Sequence, residues 1–163
     1  MIVVLVYLAL YGQPGDGPAL ARTASAYLTP AQAARHVAAA EIAGEIYDID
    51  PNLLLSIAHH ESRYQIETVT PELAGASCGV MTPEPRHQCP APDLLGGYLA
   101  GAKHLATWRA ACRGDLRCAL TGYAGGYHLL ELCETDHVRA CDTWRVFEGR
   151  ARWIARERER GAS

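Results

Sequence analysis

Glu61 closes the stretch DPNLLLSIAHHES, residues 50–62, in a position where a carboxyl can do acid–base chemistry. Leu53, Leu54, Ile57 and Ala58 recur at helical spacing, and Glu61 falls on the same side, seven residues after Leu54 and four after Ile57. A carboxylate set against apolar neighbours is poorly solvated, so it is expected to hold its proton to higher pH than a free one. A protonated carboxyl near neutral pH is a general acid, and its conjugate base can take a proton back. The plain alternative is a glutamate that reaches past the helix end to water or to an arginine. His59 and His60 precede Glu61 and invite a metal reading. The order His-His-Glu is not the zinc-binding H-E-x-x-H, and neighbours on a helix point about 100° apart, so no metal is expected there. One of the two histidines is expected to face solvent and the other to flank the site.

The elements around Glu61 are legible as helices. Thr29 reads as an N-cap with Pro30 at the first helical position, opening an alanine-rich helix to about Asp48. Asp50 and Pro51 repeat the signal for the next helix, which should end near Arg63 or Tyr64. Residues 65–91 carry several Gly and Pro and little periodicity, so they read as a long ordered loop with a short β element. A third helix follows, with Leu94, Leu95, Tyr98, Leu99, Ala102, Leu105 and Ala106 on one face. A fourth runs from Asp115 to about Gly122 and meets a glycine-rich break. The last helix turns Trp144, Phe147, Ala151 and Ile154 inward, and its RARWIARERER end suits an exposed, charge-paired face. The class is mainly α with a minor β element.

Composition limits the remaining choices. The chain has 163 residues, 49% of them hydrophobic, a formal charge of −3 and no strong basic run before its end. That is enough for one core and offers nucleic acid no electrostatic footprint. MIVVLVYLALYG is too short to span a bilayer comfortably, and Ala19-Leu20-Ala21 fits a signal-peptidase site, although no Lys or Arg precedes the apolar run. Residues 1–21 are therefore read as a signal peptide, the alternative being an N-terminal segment packed on the domain. Six cysteines fall as neighbouring pairs, Cys78 with Cys89, Cys112 with Cys118, and Cys133 with Cys141. An even count in an exported domain reads as a disulfide framework. Pairing between neighbours rests on proximity, and other connectivities stay open. No cofactor is called for.

Three segments then fall into an order that narrows the chemistry: Glu61-Ser62 ending a helix, Gly75-Ala76-Ser77 leading to Gly79-Val80-Met81-Thr82, and Gly122-Tyr123-Ala124-Gly125-Gly126 after the lead-in Gly114-Asp115-Leu116. This order resembles the lytic transglycosylase family, the soluble-transglycosylase branch of the lysozyme-like fold, over about residues 36–128. The resemblance implies a disulfide-stapled lysozyme-like helical domain over 36–163, with 22–35 as linker and helix start. It implies cleavage of the β-1,4 bond between N-acetylmuramic acid and N-acetylglucosamine in peptidoglycan, with Glu61 as the single acid/base and a 1,6-anhydromuramoyl product. Tyr123 would hydrogen-bond the Glu61 carboxyl or line its pocket. Ser77, Gly79, Met81 and Thr82 would line the sugar groove. Read from the residues alone, Tyr127 and His128 either extend such a groove by stacking or close the loop over the core. The implied partners are peptidoglycan glycan strands, in the periplasm or outside the cell, with a phage virion or secretion assembly as a possible carrier of a monomer. Thr82 stands where the family usually has Gln, Ala124 where it usually has Asn, and Cys78 adds a residue. A hydrolytic lysozyme with a second carboxylate at Glu67, Glu72, Glu84 or Asp93 remains an alternative, as does a binding-only relative.

Overall fold

The computed structural model describes residues 28–65, 69–70, 77–81, 93–135 and 139–161, the pairs 69–70 and 77–78 by their backbone alone. Helix α1 spans Pro30–Tyr47 and starts on a full capping box: the Thr29 hydroxyl accepts from the Gln32 N–H, and the Gln32 side chain accepts from the Thr29 N–H. Asp48 ends it in the left-handed region. Its buried residues include Ala33, Val37, Ala40 and Ala43. Side chains this small let α1 lie close against its neighbours.

Helix α2 spans Pro51–Ser62, with the Asp50 carboxylate accepting from the Asn52 N–H and Pro51 at the first position. The expected one-sided stripe is wider than the spacing predicts. Leu53 through His59 are all buried, Leu55 and Ser56 completely. The helix runs through the centre of the core, against α1, α5 and α3, so it has no solvent side for most of its length. Ser56 is tolerated there because its hydroxyl donates to the Phe147 carbonyl at 2.7 Å. Arg63 caps α2 in the left-handed region, and Tyr64 follows in the same region and is buried.

Beyond α2, β1 (Val69–Thr70) and β2 (Ser77–Cys78) form a two-residue antiparallel ladder, Val69 opposite Cys78 and Thr70 opposite Ser77. Helix α3 spans Leu94–Ala111, with Asp93 as its N-cap. Leu94, Tyr98, Ala102 and Leu105 are buried as the spacing predicts, whereas Leu95, Leu99 and Ala106 are only half-buried. Gly97, Gly101 and Trp108 also lie inward, because α3 is packed on α1 on one side and α4 on the other.

Helix α4 spans Leu116–Thr135, so the break expected near Gly122 lies later. Gly122 stays helical and buried because the Trp108 ring lies on it; an added Cβ there would sit 2.4 Å from that ring. The interruption comes at Gly126, whose φ of 67° and ψ of −163° suit glycine and little else. After a 3-10 turn at Arg139–Asp142, α5 spans Thr143–Gly161. Phe147, Ala151 and Ile154 are buried, while Trp144 is half-buried under the guanidinium groups of Arg117 and Arg145. Arg158 bonds to Glu41 and Asn52 and so ties the end of α5 to α1 and α2.

Disulfides join Cys112 to Cys118, across the α3–α4 turn, and Cys133 to Cys141, from α4 to the 3-10 turn. Both pair neighbours, as proximity suggests, and both are consistent with an oxidising compartment. The proposed Cys78–Cys89 pair, residues 1–21 and most of the 65–91 loop lie outside the described residues. No described helix is long and apolar enough to cross a membrane.

Candidate active site

Glu61 sits half-buried on the last turn of α2, beside a turn that three separate parts of the chain hold in place. That turn is Gly79-Val80-Met81. Gly79 enters it at a φ of 85°, and the Val80 and Met81 side chains are completely buried. They rest on the glycine face of α3: a Cβ on Gly97 would come within 2.9 Å of Val80, and one on Gly101 within 2.6 Å of Met81. The turn's two buried carbonyls need donors, and each gets one from a different helix. The Ser62 hydroxyl donates to the Val80 carbonyl at 2.7 Å, with the Ala58 carbonyl a longer second acceptor at 3.0 Å. The Tyr123 hydroxyl donates to the Met81 carbonyl at 2.6 Å. Glu61-Ser62, Gly79–Met81 and Tyr123 thus converge, although 18 residues separate the partners of the first bond and 42 those of the second.

Tyr123 is buried, and its pKa lies well above the ordinary tyrosine value, mainly through burial and then through the negative charge of Glu61. The carboxyl is therefore close enough for its charge to act on the phenol. Tyr123 has one proton, and Met81 receives it. Toward a carboxyl, then, the Tyr123 oxygen offers only lone pairs, which a protonated acid can use and a carboxylate cannot.

A second tier on α3 supports this wall. The His104 ring stands edge-on to Tyr123 at 5.1 Å between centroids. The Trp108 indole N–H, which can only donate, points to His104 Nε2 at 3.1 Å and so puts the imidazole proton on Nδ1. His104 and Trp108 were not among the residues singled out by sequence. Their i, i+4 spacing on a helix was the available signal.

Of the two histidines before Glu61, one faces solvent, as expected, and the other is buried beside Arg150 and Tyr64. His60 is exposed, with its ring edge on Phe147, and its pKa is lowered by partial burial and then by Arg63 and Arg150. His59 is buried; its pKa is lowered to about 4, first by burial and then by Arg150, Arg63 and His60. A neutral His59 can accept from the Arg150 guanidinium, 3.3 Å from its Nε2. Behind it, Tyr64 contacts both His59 and His36, and the His36 Nδ1 is 3.0 Å from the Tyr98 hydroxyl. Burial is the main reason the His36 pKa lies at about 4, with Arg35 adding to it. Among the described residues, no group of three or more His, Cys, Asp or Glu could hold a metal ion.

The other candidate residues are distributed unevenly. Tyr127 lies past the Gly126 break, 74% exposed, with its ring 4.8 Å from that of Trp108. Ser77 contributes backbone to β2, and its side chain lies outside the described residues, as do Thr82, Glu67, Glu72 and Glu84. Asp93 is occupied as the α3 cap, accepting the Gly96 N–H at 2.8 Å. Ala124 is exposed on α4. Compared with protein-family models, curated proteins and solved structures, the chain matches none.

Proposed function

We propose that the protein is a peptidoglycan lytic transglycosylase of lysozyme-like fold, exported or delivered to the cell wall. The reading rests on one observation: Glu61-Ser62, the Gly79–Met81 turn and Tyr123 meet through the Ser62–Val80 and Tyr123–Met81 hydrogen bonds, with Glu61 at the edge of that junction. A groove along the turn would hold the glycan strand. The Glu61 carboxyl gives its proton to the glycosidic oxygen as the bond from C1 of the muramoyl residue breaks. The resulting carboxylate takes the proton of the muramoyl C6 hydroxyl, whose oxygen bonds to C1. The acid is regenerated, no water is consumed, and the product ends in a 1,6-anhydro ring. One carboxyl is enough for both transfers, unlike the two-carboxylate schemes of glycoside hydrolysis. Tyr123 holds the turn rather than donating to Glu61, and its free lone pairs favour the protonated acid.

A binding-only module on the same fold is the second reading. Ala124, exposed where the family usually has Asn, brings no side-chain hydrogen bond to a sugar. Mass spectrometry of the soluble products released from purified peptidoglycan by the oxidised protein separates the readings. Anhydromuramoyl products that disappear in Glu61→Gln are expected. Reducing-end products, heavier by one water, would make the protein a hydrolytic lysozyme. Retained pelleting with the wall and no release between mildly acidic and neutral pH would favour the binding module.

A further inference from the structure

Two guanidiniums and two imidazoles converge where the end of α2 meets α5. Arg63 closes α2: its Nη1 donates to the His59 carbonyl at 2.7 Å and to the His60 carbonyl at 3.3 Å. Arg150, half-buried on α5, places its own Nη1 3.3 Å from Nε2 of the same His59. One histidine is thus held at its backbone by one guanidinium and at its ring by the other. His60 is exposed beside it, and its ring is seated edge-on against Phe147 of α5. Both guanidiniums act electrostatically on both rings, so the four groups share one field. Among the described residues neither Arg63 nor Arg150 meets a carboxylate. The acids of α5 and the turn before it are directed elsewhere: Asp142 to Arg145, Glu148 to Arg152 and Glu157 to Arg160. Glu61 lies about 200° round α2 from His59. The cluster therefore brings positive charge together, part of it half-buried, with no counter-charge of its own in the described residues.

We propose that Arg63, Arg150 and His60 form a binding site for a phosphate group, separate from the candidate acid Glu61. A phosphate has enough oxygens to meet two guanidiniums and an imidazole at once, whereas a carboxylate is matched by a single guanidinium fork. Each arginine has five N–H donors, more than the bonds described here use. The last carbonyls of α2 would repel an anion, but Arg63 covers two of them. His59 serves as a support: neutral, it accepts from Arg150 and fixes that guanidinium toward His60. An anion here opposes the two arginines in their effect on His60 and favours its charged form. The shared chemistry is the phosphate, carried either by a free phosphate or by a phospholipid headgroup. The site does not depend on the proposed enzymatic reading.

The test follows the His60 ring protons by NMR, assigned by their loss in His60→Gln, while inorganic phosphate is titrated into the oxidised protein. Chloride holds the ionic strength constant, so screening alone moves nothing. Saturable movement at millimolar phosphate, with the His60 titration displaced to higher pH, is expected, and this readout needs no substitution at the arginines. Arg63→Gln and Arg150→Gln should each weaken binding about tenfold, the loss of one charge-assisted contact, and Arg150→Lys should lose less than Arg150→Gln. Circular dichroism checks that each variant keeps its fold. A His60 response that acetate reproduces at the same ionic strength, no His60 response to phosphate, or unchanged affinity in both folded glutamine variants overturns the site. Sedimentation with vesicles of anionic phospholipid then assigns the source. Pelleting that depends on Arg150 supports a headgroup, and phosphate binding without pelleting supports a free phosphate.

Discussion

Removing the two hydroxyls that hold the Gly79–Met81 turn should reveal a coupling between α2 and α4 that runs through the turn. Ser62→Ala deletes the 2.7 Å donor to the Val80 carbonyl, and Tyr123→Phe deletes the 2.6 Å donor to the Met81 carbonyl. Each carbonyl flanks a completely buried side chain, so water does not readily replace the lost partner. An unsatisfied buried acceptor costs about 1–3 kcal/mol. The Phe ring can still fill the space against His104, so a cavity term does not add to the second value. Ser62 has a second acceptor in Ala58, but that bond is within its own helix and does nothing for the turn. Because the two carbonyls belong to consecutive residues, losing either bond lets the turn shift and weakens what the other contributes. The double variant should therefore lose less than the sum, by roughly 0.5–1 kcal/mol or more. For a chain of this size each single change lowers Tm by roughly 2–9 °C. Urea unfolding of the four oxidised proteins, followed by circular dichroism, measures the cycle. Additivity within about 0.3 kcal/mol, with both single losses at full size, would falsify the shared-turn argument. Two stable single variants would refute the burial of these carbonyls as well.

Further perturbations test other joints of the fold. Gly101→Ala places a Cβ 2.6 Å from Met81, and although helix propensity improves by about 1 kcal/mol, overpacking of about 1–3 kcal/mol should dominate and lower the urea midpoint. An unchanged or higher midpoint would mean Met81 yields freely. His36 titrates at about 4 in the fold and near 6.5 when unfolded, so the unfolded chain binds the extra proton between those values. Stability is then full above pH 6.5 and falls as pH drops toward 4, by up to about 3 kcal/mol for this residue. His59, depressed to the same region by burial and three cationic neighbours, steepens the fall. Urea midpoints across this window should flatten in His36→Gln; an identical slope counts against the assignment. Each described disulfide closes a short loop, so replacing either cysteine pair by alanines should cost about 2 kcal/mol. Unchanged thermal unfolding after removal of both pairs would contradict this.

Local signals along the chain set where helices begin and which neighbouring cysteines pair. Thr29-Pro30 and Asp50-Pro51 open α1 and α2 because a cap and a preset φ act within one turn and need no other part of the chain. Cys112–Cys118 and Cys133–Cys141 were readable because short loops bring their ends together at little entropic cost. Glu61 and Tyr123 could be named as candidates by residue type and order, but sequence could not say what they touch. Packing decided that. The spacing of α2 suggested one apolar side, yet core helices on several sides buried Leu55 and Ser56 as well. The helix break moved to Gly126 because Trp108 holds Gly122 in the helix, a contact between α3 and α4 that no local propensity encodes. The Tyr123 proton went to Met81, 42 residues away, because a buried carbonyl there had to be satisfied. Trp108 and His104 became part of the candidate site for the same reason: their roles are relations across elements, which exist only once the helices are packed.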